Sequence, residues 1–273
     1  MNANVSNTDR SLIYDVGLHL GEDAEFYLKK GFRVLGIEAV AGHCAQARER
    51  LRQYLDSGQL TILNVAITDR SGPTRFFVNE ANSVWGTTSE RWAERNRRFG
   101  ARSTEVRVEG LEFAGILKEF GIPHYLKVDI EGADLLCIQA LKNFDSLPSY
   151  ISLESTKTCW TDLCSEFALL KDLGYSRFKV VNQAKIPDQV CPRPPKEGLY
   201  VDHRFTHGSS GLFGEEIPGL WLSEREALKC YRRVYSYYRV FGDESYVYRH
   251  RLGRRLMDLV GVRDYWYDTH AAL

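Results

Sequence analysis

Short apolar segments alternate with helical patterns along most of this chain, and that alternation limits the folds it can adopt. The apolar segments are residues 12–16, 33–38, 60–67, 124–129, 150–154 and 177–181. Between most of them, apolar residues recur at spacings of three and four, which is typical of helices that pack on a sheet. Strands that alternate with helices form a mostly parallel sheet with helices on both faces. The sequence therefore predicts an α/β fold.

Composition narrows the class of protein. At 273 residues and 44% hydrophobic residues, the chain is long enough to bury the core of one large domain. Lys+Arg and Asp+Glu both number 36, so the formal net charge is zero, which argues against general nucleic-acid binding. The six cysteines include no Cys-x-x-Cys pair, so their spacing favours free thiols over a zinc site.

The chain shows no signal for a membrane span. Its first ten residues are polar, and no apolar run approaches the roughly 20 residues that a spanning helix needs. We expect a cytoplasmic protein with at most peripheral membrane contact. We also expect a flexible N-terminus over residues 1–10, a domain over 11–182, and a long loop with a C-terminal helical appendage over 183–273 that packs on the same domain. The oligomeric state is left open.

A glycine turn follows the first strand. Gly17 ends that strand, and Gly21 precedes a helical pattern that begins at Glu22. Glycines in this position let a ligand approach the backbone closely. The second strand ends at Glu38, where an acid can accept hydrogen bonds from both hydroxyls of a ribose. These residues predict a cofactor that contains a nucleoside.

Two residues of this turn distinguish between nucleoside cofactors. His19 lies between Gly17 and Gly21, so the middle glycine of the dinucleotide fingerprint is missing. Asp15 would repel a pyrophosphate and attract a cationic group such as the ammonium of a methionine moiety. Both features favour S-adenosylmethionine. An NAD-dependent oxidoreductase remains an alternative, as does a non-catalytic module that retains the cofactor fold.

In this order, the motifs resemble those of the FkbM-type family of S-adenosylmethionine-dependent methyltransferases. The matching segments are residues 14–21, 36–38, 64–67, 125–134, 178–183 and 208–215. The chain departs from the family at His19, where members often have asparagine. It departs again at Ala39-Val40, where Glu-Pro is common.

The resemblance implies a Rossmann-like class I methyltransferase fold and an acceptor hydroxyl on a sugar, glycan or natural product. It also implies S-adenosylmethionine as cofactor, with Glu38 at the ribose, Ala66 at the adenine and Asp129 beside the methyl group. The full implied cofactor-binding set is Asp15, Gly17, His19, Gly21, Glu38, Ala39, Val65, Ala66 and Asp129.

Methyl transfer to a hydroxyl needs positioning and a base, because the leaving group is already activated. The ends of the later strands supply three carboxylates as catalytic candidates, Asp129, Glu131 and Glu154. Asp129 and Glu131 are two residues apart and leave a strand on the same side. They could hold a divalent metal with Glu154, share a proton or bind the ligand. Glu131 could instead only cap the helix that follows.

Two segments interrupt the α/β rhythm and are the candidates to cover the acceptor. The first contains Trp85, whose ring could stack on a sugar face. The second is the proline-rich segment 186–219, which contains His203. We therefore predict substrate-binding roles for Trp85 and His203. A tryptophan that packs inward and an ordinary loop histidine are the structural alternatives.

Overall fold

The computed structural model describes residues 7–79, 86–98, 102–130, 132–156, 159–241 and 266–273. The strands are β1 (Thr8–Val16), β2 (Arg33–Ile37), β3 (Leu60–Leu63), β4 (Ala66–Ile67), β5 (Gly72–Asn79), β6 (Ser103–Leu111), β7 (Ile122–Val128), β8 (Tyr150–Glu154), β9 (Arg177–Asn182) and β10 (Tyr267–Ala272). The helices are α1 (Glu22–Lys29), α2 (Ala41–Arg50), α3 (Arg52–Asp56), α4 (Glu90–Arg98), α5 (Phe113–Phe120), α6 (Asp134–Ala140), α7 (Trp160–Asp172) and α8 (Glu224–Phe241).

The main sheet has seven strands in the order β3-β2-β1-β7-β8-β10-β9. Strands β3, β2, β1, β7 and β8 pair in parallel. The chain runs outward from β1 to β3 and later returns to the other side of β1 as β7, so the order reverses between β1 and β7. Open parallel sheets bind ligands outside the carboxyl ends of the strands at such a reversal. The predicted α/β fold is confirmed.

The C-terminal residues differ from their prediction as part of an appendage. Tyr267–Ala272 form β10, which lies inside the main sheet and pairs antiparallel with both β8 and β9. Thr269 and His270 on this strand are almost fully buried. The strand has no clear apolar alternation, and it pairs with segments more than 80 residues earlier, so local periodicity does not reveal it. Residues 189–213, in contrast, contain no regular element, which agrees with the irregular segment expected there.

The segment predicted as one strand over residues 60–67 is divided between two sheets. Residues 60–63 form β3 of the main sheet, whereas 66–67 form β4 of a second sheet in the order β4-β6-β5. Between them, the Asn64 side-chain nitrogen donates to the carbonyl oxygens of Glu38 and Ala39 at 2.9 and 3.0 Å. These bonds hold the chain where it leaves the main sheet, and they place the second sheet beside the end of β2.

The two faces of the main sheet are covered differently. One face packs against α5, α6, α7 and α8, through residues such as Ile116, Ile138 and Phe167. The other face packs against α1 and α2 together with the irregular segment after β9, including Phe205 and Phe213. The irregular segment therefore takes the place of helices on the face that carries α1.

A buried polar cluster lies under α7 and α8. The Ser155 hydroxyl donates to Glu166 Oε1 at 2.6 Å, and the Thr269 hydroxyl bonds to Ser155 and Tyr231. Burial raises the pKa of Glu166 to about 8 from an ordinary value of 4.5. An acid whose pKa is raised by folding stabilises the fold below its unfolded pKa, and that contribution is lost as the pH rises.

We therefore expect Glu166→Gln to make stability less dependent on pH. Between pH 5 and pH 9 the free energy of unfolding of the wild-type protein should fall by on the order of 4 kcal/mol relative to that of the variant, because one pKa unit corresponds to about 1.4 kcal/mol. Urea unfolding at both pH values measures this difference. Glu119→Gln, at an exposed position on α5, is the control. The prediction would be contradicted if the free energies of unfolding of Glu166→Gln and the wild type differed by the same amount at both pH values.

Candidate active site

A cavity of about 280 Å³ opens at the carboxyl ends of β1, β2, β7 and β8. Its walls come from the turn after β1, the ends of the neighbouring strands, the second sheet and the segment 207–210. Parallel strands bring their carboxyl ends to this edge, so the strand-end acids Glu38, Asp129 and Glu154 lie around the cavity. The cavity lies at the reversal of strand order between β1 and β7, as expected for a ligand site in this architecture.

The turn after β1 is closed by backbone hydrogen bonds. The amides of Gly17 and Leu18 both donate to the Ile37 carbonyl oxygen, at 2.9 and 3.0 Å. Gly17 has a φ of 92°, and a Cβ at this position would overlap the backbone of Asp129. His19 also has a positive φ, 49°, which is uncommon for residues other than glycine. The turn therefore brings its backbone against the ends of both β2 and β7.

Two backbone amides orient the carboxylate of Glu38. Its Oε2 accepts from the His19 amide at 2.9 Å, and its Oε1 accepts from the Val40 amide at 2.7 Å. Each carboxylate oxygen can accept a second bond, so the group can still accept two hydroxyl donors. His43 lies beside it, with Nδ1 3.6 Å from Glu38 Oε1. The structure thus presents a fixed double acceptor at the cavity wall.

Asp15 belongs to a buried charge cluster behind that wall. The Lys127 ammonium lies 2.9 Å from Asp15 Oδ1 and 3.5 Å from Asp23 Oδ2, and all three side chains are at most 6% exposed. Burial raises the pKa of Asp15 to about 6, and the Lys127 charge opposes that rise. Burial likewise raises the pKa of Asp23. From its residue type Asp15 was expected to face the ligand as an acid, but in the structure Lys127 compensates its charge.

The segment 206–210 forms the part of the cavity wall that lies next to α1. The Ser210 amide donates to both carboxylate oxygens of Asp23, at 2.8 and 3.1 Å. His207, Gly208 and Ser209 line the cavity beside it. Through Asp23 this segment is bonded to the same cluster that contains Lys127.

The other half of the cavity carries carboxylates on neighbouring strands. Val128 and Leu153 are paired in the β7–β8 register and both pack into the core, so the next residues, Asp129 and Glu154, point to the opposite face. Both acids line the cavity. Asp134 closes the loop after Asp129, because its carboxylate accepts from the Ile130 and Gly132 amides at 3.1 and 3.0 Å.

Two cavity residues come from elements that the sequence did not mark as functional. Gln183, just after β9, and Trp266, just before β10, both line the cavity. The backbone amide of Gln183 donates to the backbone carbonyl oxygen of Trp266 at 3.0 Å. The resemblance had included Gln183 in a matching segment without giving it a role. Trp266 could be found only through the position of β10.

The second sheet contributes an apolar wall. Phe76 on β5 lines the cavity, and it packs with Ala39 and Ala66 in a small cluster of its own. Gly86 lies directly against the Phe76 ring, where a Cβ would come within 2.9 Å of two ring carbons. A flat, apolar ligand group would fit this wall. Sequence reasoning did not identify Phe76, because its strand belongs to neither the main sheet nor a recognised motif.

Most of the residues predicted to form the site are brought together. The predicted residues that line the cavity are Gly17, His19, Glu38, Ala39, Val65, Ala66, Asp129 and Glu154. Asp15 lies behind the cavity, and Gly21 is the residue before α1 and packs on Leu51. Trp85 and Glu131 lie outside the described residues.

His203 does not line the cavity. Its ring packs against Phe26 and Phe205, with centroid separations of 5.0 and 4.8 Å. The histidine of the long segment that does line the cavity is His207.

The structure shows neither a metal centre nor a membrane span in the part of the chain that it describes. Within that part, no group of three or more His, Cys, Asp or Glu side chains is arranged to hold an ion. The helices with described positions are all too short or too polar to cross a bilayer. The metal site suggested for Asp129, Glu131 and Glu154 cannot be assembled from the described residues alone.

A known protein family matches more than half of the chain. The family described as Methyltransferase FkbM domain matches residues 15–176. This range includes the glycine turn, Glu38, Asp129 and Glu154. It ends before Gln183, the segment 206–210 and β10. A search of the curated proteins finds no match.

The solved structures that match this chain are distant in sequence and align with low TM-scores. Precorrin-6y C5,15-methyltransferase from Geobacter metallireducens is 14% identical, with 65% of this chain and 70% of that chain covered and a TM-score of 0.36. A putative rRNA methylase from Clostridium thermocellum is 12% identical, with coverage of 64% and 78% and a TM-score of 0.36. Phosphoethanolamine N-methyltransferase 2 from Haemonchus contortus, solved with phosphomonomethylethanolamine and S-adenosylhomocysteine, is 10% identical, with coverage of 98% and 49% and a TM-score of 0.38.

Proposed function

The chain belongs to the FkbM methyltransferase family, and from that premise we propose that it is an O-methyltransferase acting on a hydroxyl of a sugar, glycan or related natural product. That it is an S-adenosylmethionine-dependent methyltransferase follows from the family. The observation that carries the O-methylation proposal is the pair of carboxylates, Asp129 and Glu154, on adjacent strands of one cavity. A hydroxyl acceptor needs a base for its proton, and carboxylates in hydrogen-bond reach can serve as that base.

The cavity residues suit the cofactor's separate parts. The carboxylate of Glu38, held by two amides, would accept both ribose hydroxyls. The wall formed by Ala66 and Phe76 would contact the adenine. Gly17 would hold the turn tightly against the end of β7 beside the methionine part, because any side chain there would overlap the backbone of Asp129.

S-adenosylmethionine supplies a methyl group on a sulfonium that is ready to leave, so the protein mainly binds and orients the reactants. We assign the general-base role to Asp129, which follows β7 next to the turn. Glu154 would hold the acceptor hydroxyl beside it. Asp15 would act indirectly, because it holds Lys127, whose ammonium is 3.4 Å from the Gly17 carbonyl oxygen. Asp15 and Lys127 together would keep the turn in place.

The geometry favours this cofactor over NAD. Both acids near the turn, Asp129 and Glu38, line the cavity, and the ammonium of Lys127 is already paired with two carboxylates. A pyrophosphate would meet the acids with no unpaired lysine or arginine among the described residues that line the cavity. A non-catalytic module is the second alternative, and it predicts no binding of either adenosyl ligand.

Calorimetric titration tests the cofactor assignment. We expect the wild-type protein to bind S-adenosylmethionine and S-adenosylhomocysteine but not NAD. Glu38→Ala should weaken binding of both adenosyl ligands by about 10- to 100-fold, because hydrogen bonds to a charged group contribute roughly 1.5–3 kcal/mol.

Glu25→Ala is the matched control, because Glu25 forms ion pairs with Lys29 and Arg50 and does not line the cavity. Thermal unfolding of both variants would separate loss of fold from loss of contact. A wild-type protein that binds neither adenosyl ligand would overturn the cofactor assignment. Unchanged affinity in a folded Glu38→Ala variant would remove Glu38 from the site.

A further inference from the structure

The side chain of Gln183 is held by a buried acid, Asp268. The Gln183 side-chain nitrogen donates to Asp268 Oδ1 at 2.6 Å. Asp268 lies on β10, is 4% exposed, and is paired in register with Glu154 of β8. The backbone of Gln183 is also fixed, because its backbone amide donates to the carbonyl oxygen of Trp266. The side chain of Gln183 is thus restrained at both ends.

Among the residues that the structure describes, the side-chain oxygen of Gln183 has no hydrogen-bond partner and is left for a ligand. A glutamine amide has two donor hydrogens and one acceptor oxygen, and the nitrogen already faces Asp268. Gln183 lines the cavity. Its carbonyl oxygen can therefore accept a hydrogen bond from a molecule in the cavity.

The surroundings of Gln183 indicate the kind of molecule. This half of the cavity contains Asp129 and Glu154 as acids, with Gln183 and Trp266 as uncharged residues. Asp268 is also an acid, but burial together with the charge of Asp129 raises its pKa to about 8, so near neutral pH it carries little negative charge and the acids that face a ligand are Asp129 and Glu154. Negative groups here would repel an anionic acceptor. Hydroxyl groups would find acceptors, and the ring of a tryptophan is a common partner for the apolar face of a sugar.

We propose that Gln183 is an acceptor-specificity residue whose carbonyl oxygen binds a hydroxyl of a neutral, hydroxyl-rich acceptor, and that Asp268 is the residue that positions it. This inference rests on the proposed O-methyltransferase function and adds the class of acceptor. The hydroxyl bound by Gln183 is a neighbour of the hydroxyl that Asp129 deprotonates, so the two contacts together orient the acceptor. β10 thus contributes to the site through Asp268, and Trp266 lines the cavity just before that strand.

Saturation-transfer difference NMR on protein loaded with S-adenosylhomocysteine tests the proposal. The probes are the methyl glycosides of glucose, galactose, mannose and rhamnose, and the methyl glycoside of glucuronic acid. We expect at least one neutral glycoside to bind and the glucuronoside to bind less than methyl glucoside. Gln183→Met should weaken binding of that neutral glycoside by about tenfold, because one hydrogen bond is lost at constant side-chain length.

Variants at the two ends of the contact distinguish recognition from structural support. Asp268→Ala should lose glycoside binding, whereas Asp268→Asn should retain most of it, because asparagine keeps an oxygen that accepts from Gln183. Gln46→Met, on the exposed face of α2, is the control for the glutamine substitution. All variants should bind S-adenosylhomocysteine as the wild type does.

The outcomes separate this proposal from the cofactor assignment. Failure to bind S-adenosylhomocysteine would overturn the proposed function itself. Normal binding of S-adenosylhomocysteine, with no neutral glycoside bound or with the glucuronoside preferred, would overturn the acceptor class alone. Undiminished glycoside binding by a folded Gln183→Met variant would overturn the role of Gln183. Equal loss in Asp268→Ala and Asp268→Asn would overturn the positioning role of Asp268.

Discussion

Lys127→Met is expected to lower the free energy of unfolding by about 3–5 kcal/mol, because removal of one partner leaves buried charges uncompensated. The Lys127 ammonium lies within 4 Å of Asp15 and Asp23 and is the charge shared between them. Methionine has a similar length but supplies no charge and no donor. For a protein of this size, such a loss corresponds to a fall in Tm of roughly 10 °C. Thermal and urea unfolding measure it.

The same variant should become less stable as the pH rises. Burial raises the pKa of Asp15 to about 6 from 3.8, and Lys127 opposes that rise. Without Lys127 the pKa of Asp15 should increase further, so the folded state would hold its proton over a wider range. An acid of this kind stabilises the fold below its unfolded pKa and loses that contribution at higher pH. The free energy of unfolding of Lys127→Met should therefore fall further below that of the wild type at pH 8 than at pH 5.

Two further variants make the test specific. Lys29→Met removes an exposed lysine that pairs with Glu25 on the same helix, and such pairs contribute about 0.3–0.5 kcal/mol. Combining Lys127→Met with Asp15→Asn removes one of the uncompensated acids and should recover part of the lost stability. If Lys127→Met lowered the free energy of unfolding no more than Lys29→Met does, the buried cluster would not stabilise the fold.

Asp129→Asn is expected to reduce the rate of methyl transfer by roughly 100- to 10,000-fold, the range over which a positioned general base contributes. Asparagine keeps the shape of the side chain but cannot take the acceptor's proton. Affinity for S-adenosylhomocysteine should remain near that of the wild type, because the assigned role concerns the acceptor. Transfer of a labelled methyl group from S-adenosylmethionine to the methyl glycosides described above measures the rate, and calorimetry measures the affinity.

The neighbouring acid provides the comparison. Glu154→Gln should reduce the rate less than Asp129→Asn if Glu154 only holds the acceptor hydroxyl. Asp172→Asn, at an exposed position on α7, is the control for the substitution. A variant Asp129→Asn that binds the cofactor and transfers methyl groups at the wild-type rate would remove Asp129 from the chemistry. A larger loss in Glu154→Gln would transfer the base role to Glu154.

Signals that depend on a few consecutive residues predicted their structures well. The glycines of the first turn adopt positive φ values, 92° at Gly17 and 80° at Gly21. Before α8, the sequence Ser-x-x-Glu is typical of a capping box, and the Ser223 amide and hydroxyl both donate to Glu226 at 2.8 and 2.7 Å. These features follow from steric limits and short-range hydrogen bonds, which the local sequence contains.

Predictions that depended on the surroundings of a side chain were less complete. Asp15 was predicted to face a cationic ligand, but Lys127, 112 residues later, compensates it. His203 was predicted at the acceptor, but its ring packs against Phe26 of α1. In both cases the residue type was informative about charge or polarity. The partner could not be chosen from the sequence, because many lysines and aromatic residues were equally possible.

The sequence by itself determined the α/β fold, the glycine turn, and the acids Glu38, Asp129 and Glu154 at one edge of the sheet. That was possible because parallel strands with right-handed connections bring their carboxyl ends together whatever the intervening residues are. Only the tertiary structure decided that β10 enters the sheet and that Asp268 on it holds Gln183 at the cavity. Pairing across 85 residues depends on which surfaces remain to be buried once the rest of the sheet has formed, and no local pattern records that choice.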